Sequence, residues 1–517
     1  QTGWYAKEIK DRFNIELNIV APQVSGDAAS LYQTRCASGD LGDIIILDNA
    51  DMQDCVDVGL IADISEDLPN YENLMKYEEQ ISLFNDSINE IIGTEGVYAI
   101  PGEMNSNGPT EYKEDTVAVM PRLEWDHYVE VGAPEMKNLD DLLDTLKKIQ
   151  DAYPTNEAGD KTYALSLWPD WDGTSIENVN QLTKWYGQEV NGSILLGTDN
   201  SITPLTDKDG AYYKMLKFLY KANQMGLVDP DSATQDWNAA CDKMRQGRVH
   251  LFWYNWQYGF WNSPAKGEAR QNYRGIPLED LNIYQASDTY YGDGRAWAVG
   301  SNVSDEDKAR ILEFMDWLCS PEGLTMQHIG QEGFIYTVND DGTYTLTDAG
   351  MTRFADDPQV PEELGGGSWT DGNNQINQWL VASIEMNPET GETFGSDYWA
   401  SFLEKNNTAT NKEWSEKFGS ETEVSYLEEN GMLNIVPNVN LVLPIDTTDI
   451  ALIRSQCGDQ VKATSWQAIF ASDDAEFDQM WDEMCVTLEG LGWDQLVEFD
   501  TDKYQAVVDA REAAVAE

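Results

Sequence analysis

Along the first part of the chain the spacing of apolar residues switches repeatedly between two periods. From Trp4 to Phe13 they recur at helical spacing, Ile15 to Val20 alternate like a strand, and Leu31 to Ala37 return to the helical pattern. Next comes LGDIIILDNA, Leu41 to Ala50, where Ile44 to Leu47 form an unbroken apolar run that stops at Asp48 and Asn49. Such a run reads as a parallel strand buried on both faces. Its polar end bears on function, because ligands of open α/β sheets sit outside the carboxyl ends of the strands. The alternation recurs downstream. KNLDDLLDTLKKIQDAY predicts a helix with Leu139, Leu142, Leu143, Leu146 and Ile149 on one face and Asn138 as its cap. GAYYKMLKFLYKANQMG predicts a second helix closed by Gly226, and DEDKARILEFMDWLCSPEG a third. NDDGTYTLT reads as a hairpin around Asp341-Gly342, and residues from about Asp474 to Ala516 as a helical cap. Alternating units of this kind predict an α/β chain.

Length and charge narrow the reading. The chain has 517 residues, more than the roughly 250–300 that one hydrophobic core supports, so two or more lobes are expected. No apolar run reaches the roughly 18 residues of a membrane span, and the start, QTGWYAKEIKDRFNIEL, is amphipathic. This predicts a soluble chain, or the mature part of an exported one. A formal charge of −59, from 92 acidic against 33 basic residues, repels phosphate backbones and anionic lipid. Nucleic-acid and membrane-surface binding are therefore excluded as leading functions.

The motifs of common chemistries are missing. Three histidines, His127, His250 and His328, show no HExxH spacing, and there is no GxxxxGK[ST], GxGxxG or GxSxG. NEAGDK, Asn156 to Lys161, is too poor in spaced oxygen ligands for a calcium loop, so neither metal nor cofactor is expected. Cys36, Cys55, Cys241, Cys319, Cys457 and Cys485 contain no CxxC. They read as scattered thiols, with one disulfide, between Cys36 and Cys55, open if the protein is exported.

Aromatic residues are the surplus. The chain holds 18 Trp and 24 Tyr, and seven of the thirteen residues in VHLFWYNWQYGFW, Val249 to Trp261, are aromatic. Leu and Ile fill a core at least as well, so rings in excess, interleaved with Asn255 and Gln257, point to semi-exposed platforms. A pyranose presents an apolar C–H face to an indole and hydroxyls to amides and carboxylates. By this logic the candidate ligand groups, besides those in Val249–Trp261, are Trp168, Trp171 and Asp172 in LWPDWDGTS, Trp369, Asp371 and Asn374 in GSWTDGNNQ, and Tyr398 with Trp399. Asp48, Asn49 and Glu103 stand at strand ends, and Arg295 and Trp297 in GRAWAVG join them. Phe252, Phe260, Trp317, Trp481 and Trp493 read as core.

Several stretches, in order, resemble the extracellular solute-binding proteins of ABC importers, in particular the large oligosaccharide-binding lipoproteins of Gram-positive bacteria. They are ASGDLGDIIILDN, VGLIADISEDLPNYENL, GTEGVYAIPGE, VMPRLEWDHYVEVGAPEMKNLDDLLDTLKKIQ, KANQMGLVDPD with DKMRQGRVHLFW, and residues 305–342. Gly42 stands where proline is common, and Asn156 to Lys161 does not preserve the calcium loop of similar proteins. The chain begins after the first strand expected for such a lobe.

The resemblance implies a two-lobed periplasmic-binding-protein-like α/β fold of type II. Each lobe would be a mainly parallel sheet flanked by helices, with the ligand cleft between the lobes. The first lobe would comprise residues 1–115 with 273–333, the second 116–272 with 334–456, and residues 457–517 a helical cap belonging to either lobe. Crossovers would fall near Tyr112–Val119, Tyr273–Pro277 and Phe334–Thr337. In similar maltose-type proteins a tryptophan at the place of Trp256 stacks on a sugar, which makes Trp256 the foremost candidate, flanked by Trp253 and Asn255. The implied function is capture of an oligosaccharide and delivery to permease subunits, and the scarcity of basic residues makes a neutral glycan the expected ligand. The protein would be an extracellular monomer held to the membrane only by an N-terminal lipid anchor absent from this chain. A secreted glycan hydrolase or lyase and a peptide-binding protein of the same transport class are the alternatives.

Overall fold

The computed structural model describes residues 2–20, 28–373 and 378–516. Buried side chains gather into two principal cores. One joins Trp4, Ile9, Ile81, Ile100, Trp297, Phe314, Leu380 and Trp399, and an adjoining layer of Ile45, Leu47, Met52 and Phe84 completes that lobe. The other joins Leu123, Leu146, Leu165, Leu219, Phe252, Ile283, Trp414 and Trp481.

Each core packs against a short sheet. In the first lobe the strand Arg295–Val299 is central and pairs antiparallel with both Ile44–Asp48 and Ile100–Pro101, with Ile46 opposite Trp297. In the second, Val119–Glu124 lies between Leu251–Tyr254 and Tyr273–Gly275, again antiparallel. Leu433–Val436 runs parallel to Ile283–Ala286. The α/β fold is as expected, but the mainly parallel sheets are not: parallel pairing is confined to that last pair and to isolated bridges among the described residues. The misreading traces to Ile44–Leu47, where Ile46 is 40% exposed while Ile45 and Leu47 are buried. The run alternates in burial although it does not alternate in sequence.

Helices form where periodicity and caps agree. Leu139–Ala152 is capped by Asn138, whose side chain accepts hydrogen bonds from Asp140 N and Asp141 N, and its five periodic apolar residues are all buried. Ala211–Gln224 precedes Gly226, which has φ of 72°. Asp305–Leu318 gives way to Pro321–His328 at the Ser320-Pro321 boundary.

Core membership departs from the expected boundaries in two places, and assigns the C-terminal cap to a lobe. Tyr273, Ile276 and Ile283 pack in the second core, because Arg122 faces Gly275 across the sheet. Tyr336 and Leu346 pack in the first, together with Trp369, Leu380 and Trp399. The C-terminal helices Thr448–Ile469 and Asp474–Leu491 pack into the second core through Cys457, Val461 and Trp481. Three connecting segments then run side by side between the cores. Asp288 N donates to Glu111 O at 2.7 Å and Asn438 N to Pro109 O at 3.1 Å.

Candidate functional site

The aromatic stretch is shaped by an amide. The side-chain oxygen of Gln257, fully buried, accepts from Trp253 N at 2.8 Å and Tyr254 N at 3.0 Å. These two bonds turn the chain at the end of the strand Leu251–Tyr254. Asn255 is fixed by its backbone N–H to Ala118 O at 2.9 Å. Trp256 follows on the outside of the turn and is 41% exposed.

Other rings meet it there. Trp168 and Trp253 are fully buried and stack at 5.5 Å with planes 8° apart, forming a floor. Trp171 emerges beyond that floor, 37% exposed, with its ring 6.0 Å from Trp256. Its loop is anchored by Asp172, whose carboxylate accepts from Glu177 N at 2.9 Å and from the Trp466 indole at 2.6 Å. Trp237 opens the helix Trp237–Arg245, capped by Asp236, and its backbone N–H donates to Asp170 at 2.7 Å. The Trp237 ring lies 4.6 Å from Trp171 and 5.4 Å from Trp256, and Tyr254 stacks on Trp256 at 4.7 Å. Half-exposed indoles on a buried indole floor form a rigid apolar platform, with Glu177 close enough to raise the Tyr254 hydroxyl after burial has done so.

Carboxylates collect where the connecting segments meet the lobes. Glu103 sits at φ 58°, pinned by its N–H to Trp379 O at 2.8 Å and by its carbonyl, which accepts from the Thr289 hydroxyl at 2.5 Å. Burial and then the neighbouring Asp293 and Glu114 hold its carboxyl well above the ordinary range. Burial, then Asp288, Asp397 and Asp115, push Glu114 up to about 7. The charges nearest these two groups are negative, and Arg295 and Arg353 lie beyond them against Asp293 and Asp397.

The remaining expected residues are scattered. Trp253, Trp297, Trp369 and Trp399 are at most 1% exposed and offer no ring face: they are core, not platform. The Trp369 and Trp399 indoles donate to Ile329 O and Thr393 O, which binds their polar tips inside the first lobe. Asp48 and Arg295 pair with each other at 3.0 Å at the exposed end of the first sheet. Asn49 donates to Asn440 at 2.5 Å and lines a cavity of about 320 Å³ with Asp293, Glu189, Tyr284 and Arg511, which none of the exposed indoles lines. Asp371 is exposed near the start of a short helix, and Asn374 lies outside the described residues. Sequence reasoning missed Trp237, whose signal was an indole directly after a capping aspartate, and Glu114.

Glu124, Asp126 and His127 place ligand-type atoms within 4.8 Å of one another. His127 Nδ1 lies 3.2 Å from Glu124. Burial, followed by His250, drives His127 down to about 3, while burial drives Glu124 up, so the pair favours a neutral carboxyl–imidazole contact.

A family model described as bacterial extracellular solute-binding protein matches residues 4–361. No curated protein matches the sequence. Among solved structures, the Streptococcus pneumoniae ABC-transporter substrate-binding protein FusA in complex with kestose is 18% identical. The match covers 98% of this chain and 96% of that one, with a TM-score of 0.60. The alginate-binding protein AlgQ2 is 16% identical over 97% and 94%, with a TM-score of 0.63. A human-milk-oligosaccharide-binding solute-binding protein of Bifidobacterium longum infantis is 15% identical over 97% and 95%, with a TM-score of 0.58. With more than half of the chain matched and two lobes joined by adjacent connecting segments, this protein is a bacterial extracellular solute-binding protein, a binder and not an enzyme.

Proposed function

We propose that this protein captures an oligosaccharide outside the cell and delivers it to the permease of an ABC importer. The observation that carries the reading is the platform of Trp171 and Trp256, exposed and backed by the partly buried Trp237 and Tyr254, since adjacent open rings suit the apolar faces of consecutive sugar units. Asn255 and Glu177 stand beside it as hydroxyl partners, and Glu103 and Glu114 supply acceptors from the connecting segments. The structural neighbours support the same class: FusA is seen with kestose, and another neighbour is a human-milk-oligosaccharide binder.

The ligand is a neutral glycan. AlgQ2 binds alginate, but here burial holds Glu103 and Glu114 toward their neutral carboxyl forms, which offer hydrogen bonds to sugar hydroxyls and no positive charge to a uronate. The protein acts as a monomer tethered by an N-terminal lipid to the outer face of a Gram-positive membrane. One lobe consists of the segments around residues 2–20, 28–104, 295–373 and 378–399, the other of those around 117–286 and 414–516.

Calorimetric titration with neutral and acidic oligosaccharides of graded length tests this. Micromolar or tighter binding of a neutral glycan, returned uncleaved, is expected. Binding only to uronates overturns the neutral assignment, and binding only to peptides overturns the glycan reading.

A further inference from the structure

Two helices adjoin the strand Ile44–Asp48. Ala28–Ser38 carries Tyr32 and Cys36 one turn apart, and Asn49–Asp57 carries Asp51 and Cys55 one turn apart. Residues four apart share a helix face, so each helix turns a pair toward the other. The Tyr32 hydroxyl lies 3.3 Å from Cys55 Sγ, and Cys36 stands one turn along from Tyr32 on the same helix face. Tyr32 and Cys36 both pack against the apolar layer that contains Cys55. Cys36 packs half-buried against the apolar layer that contains Cys55, and Cys55 itself is fully buried.

We propose that Cys36 and Cys55 close to a disulfide once the protein is outside the cell. The family is extracellular, and paired thiols there meet oxidants that the cytosol lacks. Cys241, Cys319, Cys457 and Cys485 have no cysteine among the charges that perturb them, whereas Cys55 has Cys36. The oxidant is a disulfide, either of an exported thiol-exchange protein or of a small oxidised thiol. The Cys36 thiolate, reachable from solvent, attacks one of its sulfurs, forming a mixed disulfide and releasing one thiolate. Cys55, whose thiol burial pushes up to about 11, then gives up its proton and attacks Cys36 Sγ, expelling the second thiolate. The pair loses two electrons, and the oxidant becomes two thiols that take up the two protons. The bond closes a loop around the strand that ends in Asp48, adjoining Asn49, whose side chain bonds Asn440 on a connecting segment.

The test is a thiol count on the whole protein, denatured after incubation with oxidised or reduced glutathione. Six thiols are expected after reduction and four after oxidation, from the six cysteines less the pair. No Lys or Arg lies between Cys36 and Cys55, so trypsin leaves them on one peptide. A protease that cuts at acidic residues separates them, and their fragments are expected to stay joined until reduced. Cys36→Ser is expected to show five thiols under both conditions, and a melting temperature that no longer rises on oxidation as the wild type's does. Six thiols after oxidation, a cross-link between other cysteines, or a two-thiol loss that persists in Cys36→Ser overturns the proposal.

Discussion

Replacing Trp256 by alanine separates a ligand platform from a piece of core. Trp256 is 41% exposed, which for an indole of about 250 Å² leaves ~100 Å² open. Covering all of it at ~25 cal/mol per Å² contributes ~2.5 kcal/mol, and covering half contributes ~1.3 kcal/mol, so the loss of affinity lies between roughly tenfold and seventyfold. Trp253, three residues earlier and fully buried, provides the contrast. Its replacement by alanine opens a cavity under Trp168 and costs about 3–5 kcal/mol of stability. The assay is calorimetric titration of each variant with a neutral oligosaccharide that the wild type binds, alongside urea unfolding. Trp256→Ala is expected to weaken binding at least tenfold with near-wild-type unfolding, while Trp253→Ala unfolds at much lower urea. A Trp256→Ala protein that binds the same glycan with wild-type affinity refutes the platform reasoning.

Three further outcomes follow from the same structure. Arg122 and Glu423 form a fully buried pair at 2.8 Å, with Glu423 also accepting from Gly275 N, so Glu423→Ala strands a buried guanidinium and is expected to cost about 3–5 kcal/mol in urea unfolding. Glu114 has a folded-state value near 7, above its unfolded value, so it destabilises the ionised protein. Its contribution is present at low pH and lost as pH rises through about 7, so Glu114→Gln is expected to gain a few degrees in melting temperature over the wild type at pH 8 relative to pH 5, as differential scanning calorimetry of both proteins at both ends reads. Asn138→Ala removes the acceptor for Asp140 N and Asp141 N and is expected to cost about 1 kcal/mol in chemical denaturation.

Much of the local structure was legible because it is decided by neighbours in sequence. The Leu139–Ala152 helix needed only its heptad-like leucines and the asparagine before them, and the turn at Gly226 only a residue that tolerates positive φ. The family, too, was legible from ordered short blocks. Site residues fared differently. Trp171 and Trp256 are the exposed pair, while Trp253, Trp297, Trp369 and Trp399, chosen by the same criterion of an indole beside polar neighbours, are core. Nothing within a few residues distinguishes them, since an indole donor is satisfied equally by a sugar hydroxyl or by a backbone carbonyl such as Ile329 O.

Sequence by itself determined the α/β class, the helices and their caps, the membership of the binding-protein family and the richness in rings from which a platform is built, because these rest on periodicity, local hydrogen bonding and composition. Tertiary structure alone decided the antiparallel pairing of both central sheets, the return of Tyr336, Trp369, Leu380 and Trp399 to the first core, and which indoles face outward. Strand partners and burial depend on segments tens to hundreds of residues away, and Trp237 joins Trp171 and Trp256 only because a helix start, a loop and a strand end meet on the same surface of the second lobe.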